Sequence, residues 1–434
     1  MRKSAALLTA SLAAAGTLAA AALPVGAAWA GPATATAAQH QPARLSLPRP
    51  TGRYPVGTVQ LHLTDRSRAN PWAASPARRE LMVSVWYPAR DAARYPLAPD
   101  MLPGAAAHFG SAAGPAAALY RIPPGTVNWA ATLTSGHQNA PAAQTGEPFP
   151  VVLYSPGAGE PRTWGTTLVQ DLASRGYVVI TIDHTYEASE VEFPGGRVVT
   201  SVLQAELARA QQDGTVGALL RKVVNVRVAD ARFVAGEVTA LAAGHDPEAG
   251  HRPLPPGLAA AVDPHRIGMF GVSAGGFTAA QAMYEDPRIK AGIDLDGATD
   301  TPLVAGSQHL APVFDHGLRQ PFLFMGDPAT THKTVASWRN FWNRTPGWHL
   351  DLTLRGASGE NSYKDAEPLI GELARRGRLP AKVVRADIGT VDPARAVTAE
   401  EAYIAAFFGR FLRGQPSPLL DAPSPRYPEI QFVR

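Results

Sequence analysis

The chain is 434 residues long and 45% hydrophobic, with 40 basic and 36 acidic residues for a formal net charge of +4. A charge this near balance gives no reason to expect a nucleic-acid partner. There is no cysteine, which excludes disulfides and a lipid-attachment thiol and leaves no thiolate for a structural zinc site.

Residues 1–30 read as a secretory signal peptide. Arg2 and Lys3 form its basic start, Ala5 to Ala22 its apolar stretch, and Ala28-Trp29-Ala30 offers small residues at the cleavage positions. A transmembrane helix is the competing reading, and the alanine-rich stretch beside an A-x-A site favours cleavage. The mature chain is expected to be secreted and extracellular, without an integral membrane span. Residues 31–50, rich in Ala, Pro and Thr, look like a flexible leader.

Residues 51–434 read as a single catalytic domain. Val59-Gln60-Leu61-His62-Leu63 alternates, and Leu81-Met82-Val83-Ser84-Val85-Trp86-Tyr87 is a strand-like run stopped by Pro88. The two can pair as a hairpin-like edge of a larger sheet. Residues 91–148 are rich in Ala, Gly and Pro with little periodicity, the pattern of a solvated insertion or of a cap over a pocket. Strands are then expected at Val151–Tyr154, Tyr177–Ile182, Ile267–Phe270, Ala291–Leu295, Phe322–Met325 and His349–Leu354. Helices are expected through Leu168–Ser174, across Val202–Leu241 with a break near Gly214 and Gly217, over Ala274–Met283, and over Thr398–Leu412. Strands alternating with helices imply an α/β fold, a mostly parallel central sheet flanked by helices on both faces. No internal repeat is found.

The strongest chemical signal is Gly271-Val272-Ser273-Ala274-Gly275, a G-x-S-x-G elbow lying where a strand ends and a helix begins. Such a turn exposes a serine hydroxyl beside a helix N-terminus, where backbone N–H groups favour developing negative charge. Ser273 is the candidate nucleophile. The loop Ser155-Pro156-Gly157-Ala158-Gly159 follows an earlier strand and supplies a second donor, so the N–H groups of Ala158 and Ala274 form the candidate oxyanion hole. No Gly-Lys-Ser/Thr follows that loop, which argues against phosphate binding. Asp294 and Asp296 alternate at the next strand end. Asp296, the last of that strand, is the candidate acid, with Asp327 after the following strand as its rival.

Several segments together resemble the platelet-activating factor acetylhydrolase family of single-chain α/β-hydrolases and its secreted bacterial members. They are Ser84-Val85-Trp86-Tyr87-Pro88, Tyr154 to Gly159, Leu172 to Val179, the elbow, and Gly292-Ile293-Asp294-Leu295-Asp296, in that order. The resemblance implies an α/β-hydrolase fold, Ser273 as nucleophile, Asp296 as acid and Ala158 as loop oxyanion donor. It also implies a histidine base in a Gly-His-x-Ser-Phe-x-Asp-like stretch after the last core strand. Here that stretch is Gly359-Glu360-Asn361-Ser362-Tyr363-Lys364-Asp365, so Glu360 stands in the histidine position. Val272 also departs, where the family commonly has histidine.

A serine hydroxyl needs a nearby base near its working pH, and imidazole, with a pKa of about 6.5, suits that task. A carboxylate starts about two units lower and is weaker, although a second carboxylate beside it raises its proton affinity. Among other histidines, His349 opens the last core strand and belongs at the far edge of the sheet. His184 reads as a residue that shapes its loop or the pocket. His332, in Thr330-Thr331-His332-Lys333, is the outside candidate for the base. No histidine pair has metal-ligand spacing, and neither metal nor cofactor is expected. Two functions stand: a secreted serine esterase acting on small-molecule or lipid esters, short-acyl phospholipids among them, or a degenerate hydrolase that binds an ester or lipid with little turnover.

Overall fold

The computed structural model describes residues 41–73 and 77–434. The secretory segment expected at 1–30 and the first part of the expected leader lie outside the described residues. The strands are β1 (Val56–Ala69), β2 (Arg78–Pro88), β3 (Leu97–Pro99), β4 (Leu133–Gln138), β5 (Phe149–Ser155), β6 (Val178–Asp183), β7 (Glu190–Phe193), β8 (Arg197–Thr200), β9 (Val262–Val272), β10 (Ile289–Leu295), β11 (Phe322–Gly326), β12 (His349–Leu354) and β13 (Ile430–Phe432). The longer helices are α1 (Thr166–Ser174), α2 (Leu203–Gln212), α3 (Val216–Ala242), α4 (Ala274–Glu285), α5 (Ala336–Arg344), α6 (Ala366–Arg375), α7 (Ala381–Ile388) and α8 (Pro393–Arg413).

One sheet runs in the order β13-β12-β11-β10-β9-β5-β6-β2-β1-β4-β3. From β6 to β12 its neighbours are all parallel. The buried strands are apolar on both faces because successive side chains point to opposite sides. In β5, Val151 and Leu153 pack into one core and Val152 and Tyr154 into the other. Helices α3, α4 and α5 cover the first face, through residues such as Val234, Phe277 and Trp338. Helices α1 and α8 cover the second, through Leu172, Tyr403, Phe407 and Phe408. This is the α/β-hydrolase fold.

The topology places the site. From β5 the chain moves outward to β6 in one direction, whereas β9, β10, β11 and β12 step outward in the other. The order reverses between β5 and β9, and loops leaving adjacent carboxyl ends there diverge and leave a crevice.

Three expectations change. The β1–β2 hairpin is not an edge: β2 pairs antiparallel with β6 and β1 pairs with β4, because 91–148 contributes further strands outside it. That region is no patternless insertion. It adds β3 and β4 to the sheet and packs Phe109, Tyr120 and Trp129 around Trp164. The leader reading does not hold over 41–50. Ala43, Leu45 and Leu47 are buried in the same cluster as Phe109 and Trp129, and Ser46 N–H donates to Glu372 at 2.9 Å. Three apolar residues at alternate positions, with a cleft to fill, outweigh the disorder-prone composition.

Candidate active site

Ser273 sits between β9 and α4 with φ 52° and ψ −117°, a conformation that side-chain-bearing residues rarely adopt. The flanking glycines make this turn possible. A Cβ at Gly275 would lie 1.8 Å from the Ser155 carbonyl oxygen, and one at Gly271 would lie 2.4 Å from that same oxygen. Both obstacles are backbone and cannot rotate away. The Ser273 N–H donates to Leu295 O at 2.8 Å, tying the turn to β10. The Ser273 hydroxyl makes no hydrogen bond among the described residues, and the residue is 7% exposed.

Ala274 is the first residue of α4, so its N–H has no partner within the helix. The Ala158 N–H, on the loop after β5, is also unbonded among the described residues. Both alanines line one pocket, completed by Leu203 and Leu207 of α2, Leu219, Leu220, Val223 and Val224 of α3, Phe277, Thr299, Thr301 and Leu310. The free room inside it is small, about 30 Å³, and its walls are almost wholly apolar. Nothing from 91–148 lines it. Tyr120 of that region donates to Glu160 at 3.1 Å. The wall comes instead from the α2–α3 helical pair, whose break at 213–215 matches the expected one.

Asp294 of β10 and Asp296 just beyond its end lie in different surroundings. Asp294 is fully buried beneath the elbow, with Gly297 N–H donating to its Oδ1 at 2.7 Å and Oδ2 unpaired. Burial, with the charge of Asp296 adding to it, pushes its carboxyl well above the usual range. Asp296 follows the last strand residue, Leu295, at φ 60° and accepts the Asp327 N–H at 3.1 Å. Burial, then the charge of Asp327, with Glu360 adding to it, pushes its carboxyl up to about 8. Asp327 itself accepts from the N–H groups of Ala329 and Thr330, both at 2.8 Å, and so caps its own loop.

The chain as a whole is similar to known proteins. A solved ferulic acid esterase from Streptomyces cinnamoneus is 35% identical, covers 90% of this chain and 100% of its own, and superposes with a TM-score of 0.69. A probable 1-alkyl-2-acetylglycerophosphocholine esterase from Arthroderma benhamiae is 27% identical over 406 residues, 90% of this chain and 95% of that protein. Residues 40–216 match the family described as platelet-activating factor acetylhydrolase, isoform II. The chain belongs to that acetylhydrolase family. It is thus related along most of its length to proteins named as esterases.

Within this acetylhydrolase-family chain, the position where the family resemblance places a histidine is filled by an ion pair. Glu360, in a short turn after β12, takes Lys364 Nζ at 2.8 Å, and the same ammonium reaches Glu160 at 2.5 Å. Burial works against the Lys364 charge, but the two carboxylates hold its amine above its ordinary value. Glu160 in turn accepts the Gly157 N–H at 3.1 Å. The lysine thus links the base position to the oxyanion loop.

The other histidines are committed elsewhere. His332 Nδ1 meets Asp351 at 2.7 Å and its ring stacks on Trp342 at 4.0 Å, so it forms no contact with Ser273 among the described residues. His349 Nδ1 bonds to Gly347 O. His184 lies in a chain that resembles a triad, with Ser155 Oγ to Nε2 at 2.9 Å and Nδ1 to Asp230 at 3.0 Å. Ser155 is fully buried, so no substrate reaches it. Sequence reading missed Glu160, Lys364 and Arg227. Charged residues in an apolar helical pattern, as in Val226-Arg227-Val228, were the available signal.

Proposed function

We propose that the protein is an exported carboxylic ester hydrolase with Ser273 as nucleophile. One observation carries this reading: a strained serine turn with an unbonded hydroxyl, flanked by two unbonded N–H groups that line an apolar pocket. Ser273 Oγ attacks the acyl carbon and gives its proton to a carboxylate. The carbonyl oxygen becomes an oxyanion held by the Ala158 and Ala274 N–H groups. Collapse breaks the ester C–O bond and the leaving oxygen takes the proton back from the carboxyl group, expelling the alcohol. Water, losing its proton to the carboxylate, then frees the acyl group and returns the proton to Ser273.

The carboxylate role falls to Asp296 with Glu360. Burial and mutual repulsion raise Asp296 toward neutral pH, where a base is most useful. Without an imidazole the turnover is reduced. The aliphatic walls suit an apolar acyl group, and the esterases related to this chain are named for an acetyl phospholipid and for ferulic acid. We assign export to the signal-like segment 1–30; among the described residues no helix is long and apolar enough to cross a membrane.

A second reading, a binding protein with negligible turnover, draws on the Lys364–Glu360 ion pair, which occupies the carboxylate at the base position. Hydrolysis of p-nitrophenyl acetate by residues 31–434 decides between them, with Ser273→Ala as control. The serine-esterase reading expects turnover that the substitution abolishes. Equal rates for the two proteins would leave only binding.

A further inference from the structure

Arg227 lies mid-way along α3 and is fully buried, yet it contacts no substrate-sized space. Its fork is spent on the loop after β5. Nη2 donates to Gly157 O at 2.9 Å and Nη1 to Pro156 O at 2.8 Å. Nη1 also approaches Ser155 Oγ at 3.3 Å, and Nε pairs with Glu187.

The Gly157 carbonyl and the Ala158 N–H belong to one peptide unit. A planar trans peptide holds its C=O and N–H antiparallel, so whatever fixes one aims the other. Arg227 draws the Gly157 carbonyl toward α3, and the Ala158 N–H therefore points the opposite way. Glu160 fixes the preceding unit by accepting the Gly157 N–H at its side chain, and its own N–H joins Arg227 on the Gly157 carbonyl at 3.2 Å. Glycine at 157 has no rotamer or Cβ to limit its backbone, so without these bonds the peptide could turn over.

The anchor is itself rigid. Ser155 Oγ–H donates to His184 Nε2, His184 Nδ1–H donates to Asp230, and Asp230 receives Arg79 at 3.0 and 2.6 Å. Each donor in this chain meets a group that can only accept from it. The Arg227 charge is matched by buried Glu187, so it acts by bond direction rather than by field.

We propose that Arg227 is a positioning residue for ester hydrolysis, acting through the Gly157–Ala158 peptide to aim one of the two oxyanion donors. The proposal rests on the reading of the Ala158 N–H as such a donor. A lysine keeps the charge but lacks the fork that bonds two carbonyls and a carboxylate together.

The test compares wild type, Arg227→Lys and Ala158→Pro, which lacks the N–H altogether, on p-nitrophenyl acetate and with a trifluoromethyl ketone, whose adduct with Ser273 carries an oxyanion. Loss of one oxyanion donor costs about 10²- to 10³-fold in kcat. Arg227→Lys is expected to lose about 10-fold or more in kcat with KM nearly unchanged, and to lose ketone affinity by the same factor. Binding of the product acid should stay as in wild type. If Ala158→Pro is impaired but Arg227→Lys retains wild-type kcat and ketone affinity, the positioning role is overturned and the donor reading stands. If Ala158→Pro also keeps full kcat, the donor reading itself fails. If Arg227→Lys does not fold, Glu187→Gln, which unhooks one side of the guanidinium, must show the same kcat-specific loss. Its absence there overturns the proposal. A wild type that neither turns over nor binds the ketone overturns both.

Discussion

In the proposed mechanism, Glu360 is the residue on which the chemistry turns. A general base in the right place contributes about 10²- to 10⁴-fold, and imidazole is the side chain whose ordinary pKa suits neutral pH. Glu360→His should therefore raise kcat by about 10²-fold or more, measured on p-nitrophenyl acetate with Ser273→Ala as background. No gain would mean that Lys364, already 2.8 Å from the glutamate, keeps a histidine from the serine. The pH profile tests the carboxylate base. Burial and the neighbouring charges of Asp327 and Glu360 lift Asp296 to about 8, so its basic form gains as pH rises. Activity should climb with pH through the region of 8 and fade toward acid. Glu360→Gln removes one like charge, lowers the Asp296 pKa and should move that rising limb to lower pH. A limb that stays put would show that another group controls it.

At the scale of elements, helix α8 shows how a local pattern and a distant partner divide control. Its start and stop are written locally. Asp392 caps the first turn by accepting the Arg395 N–H at 3.0 Å, Pro393 follows, and Gly414 at φ 64° ends it. Its apolar stripe of Tyr403, Ile404, Phe407 and Phe408 is visible from spacing alone. Glu401 on the same helix is buried, which no spacing reveals. Burial, then the Asp171 charge, pushes it up to about 8 despite Arg175. The folded state thus holds a proton that the unfolded chain releases near 4.5. Glu401 therefore contributes fully to stability only below its unfolded pKa, and that contribution fades as pH climbs toward 8. Glu401→Gln should gain melting temperature over wild type at pH 8 but much less at pH 5. Thermal melts at the two pH values measure this; a pH-independent difference would contradict the buried-proton account.

The whole molecule decides what enters the site. The pocket beside Ala158 and Ala274 is walled by α2, α3, α4 and the segment 299–310, brought together only because the strand order reverses between β5 and β9. Leu220→Trp should fill it, lowering kcat/KM for butyryl relative to acetyl esters by about 10-fold or more, since pocket discrimination per methylene is of that order. An unchanged ratio would place the acyl group elsewhere. What the sequence by itself determined are the short-range features: the strand and helix periods, the break at 213–215, and the elbow, where Gly271 and Gly275 admit the only geometry free of backbone collision. These depend on neighbours a few residues apart, so composition and spacing carry them. Tertiary structure decided the rest. It ordered 41–50, moved the pocket wall from 91–148 to the α2–α3 pair, separated Asp294 from Asp296, and turned His332 toward Asp351. It also joined Lys364 to Glu160, 204 positions away, and Arg227 to Gly157, 70 away. Burial and bond direction, which set proton affinity and aim a peptide, are properties of what surrounds a residue in space, and chain order does not record them.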